Sequence, residues 1–262
     1  IEKIHASPFR LTFVSSGGGT NAISELLKVP GASNTVLESY IPYSKESMDT
    51  FLNKTPDHYC SLETCLSMAA NAFKKSKEID QRTKTRYLLG IAITANLATT
   101  YEKKGEHKFF IVIQAYNYTK YLECYLIKGN RTRKQEEELI TSCALSLLAE
   151  SCGFEFDLPK IDEEIKINNI KAEKSWEKLF NNKVDYISNN QNSPELIFPG
   201  SFNPLHEGHL KMKELAEKRT GMHTTFEICA NNADKPPLTF YEIKRTIDPV
   251  SYTHLTLPTS VT

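Results

Sequence analysis

The sequence predicts an α/β protein in two parts, and three features carry that prediction. Short apolar runs alternate with amphipathic stretches through roughly the first 153 residues, the pattern of strands interleaved with helices. A stretch rich in Lys, Glu and Asn then covers residues 154–194 and ends in the polar run Ser188–Ser193, the composition of a linker. A second strand, turn and helix pattern opens after Pro194. At 262 residues the chain has room for two modest domains.

Taken in order, Leu11–Val14 is an apolar run that feeds the turn Gly17-Gly18-Gly19. A helical spacing through Ile23, Leu26 and Leu27 follows and is closed by Pro30-Gly31. Val36–Ile41 reads as a strand. Ser61–Lys77 reads as an amphipathic helix with a serine cap and Glu63 in its first turn. Leu88–Ile93, Phe109–Gln114 and Tyr121–Ile127 are strand-like. Arg133–Glu150 places Ile140, Cys143, Ala144, Leu147 and Leu148 on one helical face. A short amphipathic helix is expected around Trp176, Leu179 and Phe180. Leu196-Ile197-Phe198 and Thr225–Ala230 are the strands of the second part.

Lys plus Arg and Asp plus Glu both number 32, so no global basic field marks nucleic acid as the main partner. No apolar run approaches the roughly 20 residues of a membrane span. Cys60, Cys65, Cys124, Cys143, Cys152 and Cys229 form no CxxC pair. Reduced core thiols in a cytoplasmic protein are therefore expected, with neither a disulfide framework nor a metal site. Val250–Thr262 resembles translated sequencing-adaptor sequence, although its Tyr, Thr, Leu and Val also suit a strand. The expected organisation is an α/β domain at 6–153, a linker at 154–194, a second domain opening at 195–249, and a non-native tail at 250–262.

The richest string for chemistry is Phe198-Pro199-Gly200-Ser201-Phe202-Asn203-Pro204-Leu205-His206-Glu207-Gly208-His209. A buried strand should end near Pro199, and the Gly200-Ser201 turn lets backbone approach a ligand closely. A helix should begin near His206 with its free N–H groups and positive dipole end facing the same ligand. Residues three apart share a helix face, so His206 and His209 should project together. Gly208 is expected to leave room between them for a phosphate.

An HxGH embedded in GSFNPxHxGH directly after an apolar strand resembles the nucleotidyltransferases related to nicotinate and nicotinamide mononucleotide adenylyltransferases. Asn203 stands where many of these proteins carry Asp. The resemblance implies a Rossmann-like domain in which a phosphate oxygen attacks the α-phosphorus of a nucleoside triphosphate and expels pyrophosphate. His206 and His209 would neutralise phosphate charge, backbone at Gly200, Ser201 and Phe202 would form a cradle, and Mg²⁺ would accompany the triphosphate. A phosphate monoester is already largely ionised, its second pKa being about 6, so no general base is needed. Lys235 reads either as a phosphate or acceptor contact or as a solvated loop lysine. The family's later Ser/Thr-rich phosphate motif has no counterpart after Ile247, so the transferase domain is expected to be truncated and inactive in this chain.

In the first part, Ser15-Ser16-Gly17-Gly18-Gly19, Val29-Pro30-Gly31-Ala32-Ser33 and Pro42-Tyr43-Ser44 resemble the ESCTGG, VPGAS and YSNxxK motifs of the CinA carboxyl-terminal domain, a nicotinamide-mononucleotide deamidase fold. Asn130-Arg131 resembles its GDR motif. The resemblance implies an amidohydrolase site at Ser16, Ser33 and Tyr43. A serine nucleophile needs a base, yet the family lysine falls on Met48, which cannot accept a proton. Lys45, three residues earlier, could reach the same face at a helix start. Gly18 replaces a threonine, and Thr94-Ala95-Asn96 replaces the TGIAGP loop, so an altered or vestigial site is expected.

The expected function is nucleotidyl transfer, foremost adenylyl transfer, from a nucleoside triphosphate to a phosphate-bearing small molecule. The paired resemblances imply pyridine-nucleotide metabolism. Two other readings compete, amidohydrolysis at Ser16 and nucleotide binding without catalysis.

Overall fold

The computed structural model describes residues 1–101, 104–180, 183–188, 195–200, 202, 205–229, 243–244 and 253–256. They fall into two compact units, Ile1–Ile170 and Lys171–Thr262.

The first unit begins with a single helical turn, α1 (Glu2–His5), and then alternates: β1 (Arg10–Ser16), α2 (Thr20–Lys28), β2 (Val36–Tyr40), α3 (Lys45–Leu52), α4 (Leu62–Ile79), β3 (Leu88–Asn96), β4 (His107–Gln114), β5 (Tyr118–Leu126), α5 (Arg133–Ser151) and β6 (Ile165–Lys171). Six strands form one mixed sheet in the order β2-β1-β3-β4-β5-β6. β2, β1 and β3 run parallel, whereas β3, β4 and β5 are successively antiparallel. Antiparallel neighbours join through short hairpins, and parallel ones need helical crossovers, which is how α2 and α4 arise.

Both faces of the sheet are covered. Leu11, Phe13, Leu89, Ile91, Ile93, Phe109 and Ile111 share a buried cluster with Leu26 of α2 and with Ile140, Cys143, Ala144, Leu147 and Leu148 of α5. On the opposite face α4 lies against β3 and β1. The approach there is close: a Cβ on Gly90 would stand 2.2 Å from the Phe73 nitrogen and 2.4 Å from the Ala69 carbonyl oxygen. Small residues on α4 permit it, and two polar ones are satisfied across the seam. The Ser76 hydroxyl donates to the Leu89 carbonyl at 2.7 Å, and the Cys65 thiol donates to the Ala92 and Phe110 carbonyls at 3.4 Å. Burial pushes the thiols of Cys124 and Cys152 up to about 11 and that of Cys143 to about 12, which keeps them protonated and inert in the core.

Helix ends match their sequence signals. Ser61 accepts from the Thr64 N–H at 3.2 Å, and Ser44 caps α3 by accepting from Ser47. Thr132 and Gln135 make a reciprocal capping box on α5. Each such cap stabilises a helix by about 1 kcal/mol.

Within the stretch whose composition reads as a linker, the structure places ordered elements. β6 adds to the first sheet beside β5, α6 (Lys174–Phe180) carries buried Trp176 and Leu179, and β7 (Tyr186–Ser188) joins the second sheet. Glu163 anchors the segment ahead of β6. Its carboxylate takes two bonds from the Arg131 guanidinium, at 2.5 and 2.9 Å, and a third from the Ile127 N–H at 3.0 Å. Composition cannot show such an anchor, because the partner lies 32 residues away.

The second unit holds β8 (Leu196–Gly200), α7 (Glu207–Thr220), β9 (Thr224–Cys229) and β10 (Thr253–Thr256), with strand order β7-β10-β9-β8. β8 and β9 pair in parallel across α7, a β-α-β crossover. Residues 253–256, within the tail set aside on sequence, lie parallel to β9 and antiparallel to β7. Among the described residues no helix is long and apolar enough to cross a membrane.

Two carboxylates tie the first unit to pH. Main-chain donation from Thr83, followed by the Thr83 side chain, Arg10 and the Arg82 N–H, holds Asp80 down to about 2. The Arg131 hydrogen bonds hold Glu163 down to about 2. A folded pKa below the unfolded one stabilises the ionised fold above the ordinary carboxyl range, and that contribution disappears as pH falls through the folded value. Thermal melts should therefore show Tm falling between about pH 4.5 and pH 2. Glu163→Gln should lower Tm at neutral pH and flatten this acid limb. An unchanged limb in that variant would remove Glu163 from the account.

Candidate functional site

One end of the first sheet gathers the glycine turn, the loop after β3 and the start of α5. Ser16 is in register with Thr94, so the chain leaving β1 passes directly beside the chain leaving β3. Gly17 has φ +80°, and a Cβ there would stand 2.0 Å from the Ala95 carbonyl oxygen, so only glycine fits this turn. Gly19, at φ +85°, caps α2.

The free N–H groups at that cap are already engaged. Glu137 of α5 accepts from the Gly19 N–H at 2.7 Å, from the Asn21 N–H at 3.1 Å and from the Thr20 hydroxyl at 3.1 Å. An internal carboxylate thus complements the positive end of α2, the place where a bound anion would otherwise sit. Arg133 closes the turn from outside by donating to the Gly17 and Ala98 carbonyls at 3.1 and 3.2 Å. Beside them opens a cleft of about 490 Å³, lined by Gly17, Gly18, Tyr43, Arg133, Lys134 and Glu137.

The residues expected to form an amidohydrolase site are only partly brought together. Tyr43, 68% exposed, meets the glycine turn at this cleft. The Ser16 hydroxyl donates to the Pro42 carbonyl at 2.9 Å and so is directed at a main-chain acceptor rather than at a base. Ser33 sits exposed in the turn Ala32–Asn34, where its carbonyl accepts from Arg10. Lys45 is exposed at the start of α3 with its Nζ 5.7 Å from the Tyr59 ring centre, while Met48 is buried in the core. Lys45 therefore does not follow Met48 inward, because a charged head keeps to water while the thioether packs. Arg131, of the GDR-like pair, is engaged by Glu163.

The second unit builds its candidate site on β8 and α7. His206 caps α7, and its Nδ1 accepts from the Gly208 N–H at 3.2 Å. In return, the His209 Nδ1 accepts from the His206 N–H at 3.3 Å. The rings stack with centres 3.8 Å apart and planes 28° from parallel. An accepting nitrogen carries no proton, so each neutral ring bears its hydrogen on Nε2. The pair forms a capping box made of two imidazoles, and among the described residues neither Nε2–H has an acceptor.

A Cβ on Gly208 would stand 3.0–3.1 Å from the His206 ring, so the glycine makes room for that imidazole. Phe202 is 3% exposed and takes φ +41°, unusual for a bulky residue. Its ring lies edge-on to His209 at 5.2 Å and to Phe226 at 4.7 Å, and it fills the space where a Cβ on Gly200 would fall, 2.6 Å away. Phe202 thus supports His209 through its side chain, a role beyond the backbone cradle expected of it. Ser201, Asn203 and Lys235 lie outside the described residues.

No family model matches the chain, and no curated protein matches it. Similar solved structures include the competence/damage inducible protein CihA of Agrobacterium tumefaciens, 17% identical over 55% of this chain and 86% of that one, with TM-score 0.44. A competence or damage-inducible protein of Enterobacter asburiae is 16% identical over 55% and 88%, with TM-score 0.43. A competence-damaged protein (CinA) superfamily protein of Escherichia coli is 16% identical over 57% and 84%, with TM-score 0.44.

The arrangement around Ser16 leads to a simple expectation. The full chain incubated with nicotinamide mononucleotide should release no ammonia above background. Robust release that vanishes in Ser16→Ala but survives Lys45→Met would show that another base serves the serine.

Proposed function

We propose that the chain carries the phosphate-gripping part of a nucleotidyl-transfer site, centred on His206 and His209. The observation that carries this reading is the reciprocal cap, which fixes two stacked imidazoles at the N-terminal end of α7 with neither Nε2 bonded to another described residue. Two neutral donors beside a helix's positive end suit an anion that must be held and then released. Their position, after the carboxyl end of a parallel strand, is where open α/β sheets take ligands.

In the proposed reaction an ionised phosphate oxygen of a small acceptor forms a bond to the α-phosphorus of a nucleoside triphosphate. The bond from that phosphorus to the bridging oxygen breaks, and pyrophosphate leaves with the electron pair. No proton need be removed from the acceptor. The two histidines stabilise charge on the phosphate oxygens, most strongly as it builds in the transition state. Mg²⁺ would arrive on the triphosphate and shield its charge. Adenylyl transfer to a mononucleotide is the preferred form of this reading.

Two measurements test it. Titrating a nucleoside triphosphate with Mg²⁺ into histidine-labelled protein should shift the Nε2 resonances of His206 and His209 in a saturable way. Absence of any shift sinks the proposal. In a form of the protein that turns over labelled triphosphate, His209→Ala should lower kcat by about 10² to 10³, with KM less affected. The same change removes a cap bond and a ring contact, together on the order of 1–2 kcal/mol of stability. His206→Ala should behave similarly, and the double variant should be less than additive. A near-normal kcat with a Tm lowered by many degrees would make His209 a packing residue.

A further inference from the structure

A second cavity, of about 670 Å³, opens on the other side of Arg133 from the glycine turn, and His107, Lys128, Arg133, Thr99, Thr100 and Thr132 are among the residues that line it. Its chemistry differs from the first cleft. His107, at the start of β4, is 8% exposed, and its Nδ1 stands 2.9 Å from a carboxylate oxygen of Glu136, which is fully buried. The other oxygen of Glu136 accepts from the Ala98 N–H at 2.6 Å. Because Nδ1 is engaged with the carboxylate, Nε2 is the ring nitrogen left for a ligand at the cavity that His107 lines.

Burying an imidazole and a carboxylate costs more than burying two apolar side chains of the same size unless the pair is matched. Such a pair at the wall of a cavity is the usual mark of a site rather than of packing alone. No carboxylate is among the described residues lining the cavity. Glu136 stands behind His107, and Glu163 is bound by Arg131. Among the described residues Arg133 donates to the neutral carbonyls of Gly17 and Ala98 and makes no ion pair. Thr99, Thr100 and Thr132 also line the cavity.

We propose that this cavity binds a small oxyanion, a phosphate ester or a carboxylate, between the Nε2 edge of His107 and the guanidinium of Arg133. Glu136 is a positioning residue there: its carboxylate at 2.9 Å from Nδ1 fixes the ring's orientation. The site lies wholly in the first unit and does not rest on the nucleotidyl-transfer reading, so either can fail without the other.

The test is a titration of the full chain, labelled with ¹⁵N in backbone and imidazole, with inorganic phosphate, ribose 5-phosphate and acetate in separate arms. Saturable movement of the His107 ring resonances, together with the Thr99 and Thr100 amides, is expected with at least one of these probes. The arm that gives the tightest binding distinguishes a phosphoryl group from a carboxylate. Arg133→Gln and His107→Gln should each weaken binding by about tenfold or more. Because those changes touch hydrogen bonds of the fold, Thr100→Trp is the independent variant. Thr100 is exposed, so its bulk fills the cavity without entering the core, and it should abolish the shifts while leaving Tm unchanged. Linear, unsaturated shifts with every probe, shifts confined to Gly17–Asn21, or shifts that persist in Thr100→Trp would each overturn the proposal.

Discussion

The architecture of the first unit depends on the burial of β3. Every residue from Leu88 to Ala95 is covered, by α4 on one face and by the α2 and α5 side on the other. A strand dry on both faces must have its main chain satisfied by neighbours on both edges. β1 supplies one edge in parallel and β4 the other in antiparallel fashion. This change of direction brings four chain segments to one end of the sheet. The exits of β1 and β3, the entry of β4 at His107 and the exit of β5 toward α5 all meet there.

Both cavities of the first unit follow from that convergence. Arg133, at the first turn of α5, stands between them and bonds to the exits of β1 and β3 at once. The consecutive residues Glu136 and Glu137 then point their carboxylates to different tasks, one behind His107 and one into the cap of α2. Successive helical positions differ by about 100°, so neighbours in sequence serve different walls. The glycine turn that reads as a ligand loop is thus completed by the protein's own carboxylate.

In the second unit the governing geometry is local. His206, Gly208 and His209 lie within one turn, and reciprocal bonds between their rings and the main chain decide which ring nitrogens face outward. Packing then refines the arrangement. Phe198, Phe202 and Phe226 form an aromatic floor, and His209 sits edge-on to Phe198 and Phe202. The positive φ of Phe202 accompanies a ring packed against Phe198, His209 and Phe226, in the space that Gly200 leaves open.

Much of this was legible in the residues alone, because it is written in short-range patterns. Alternating apolar runs located β1, β3, β4 and β5 to within a few residues, and Ser61 and the HxGH string marked the starts of α4 and α7. Helical spacing was less discriminating: Ile23 and Leu26 face the core as expected, but Leu27 is 57% exposed. What only the tertiary structure decided involves partners far apart in the chain. Glu137 meets Gly19 across 118 positions, Glu163 draws a polar stretch back onto Arg131, and His107 finds Glu136 from another element. No local composition encodes such pairings, since a charged residue reads as solvated until folding removes its water and gives it one particular partner. The sequence by itself determined which segments become strands and helices and which histidines share a helix end. Folding decided which charged residues find each other across the chain, and therefore which side chains share a cavity wall.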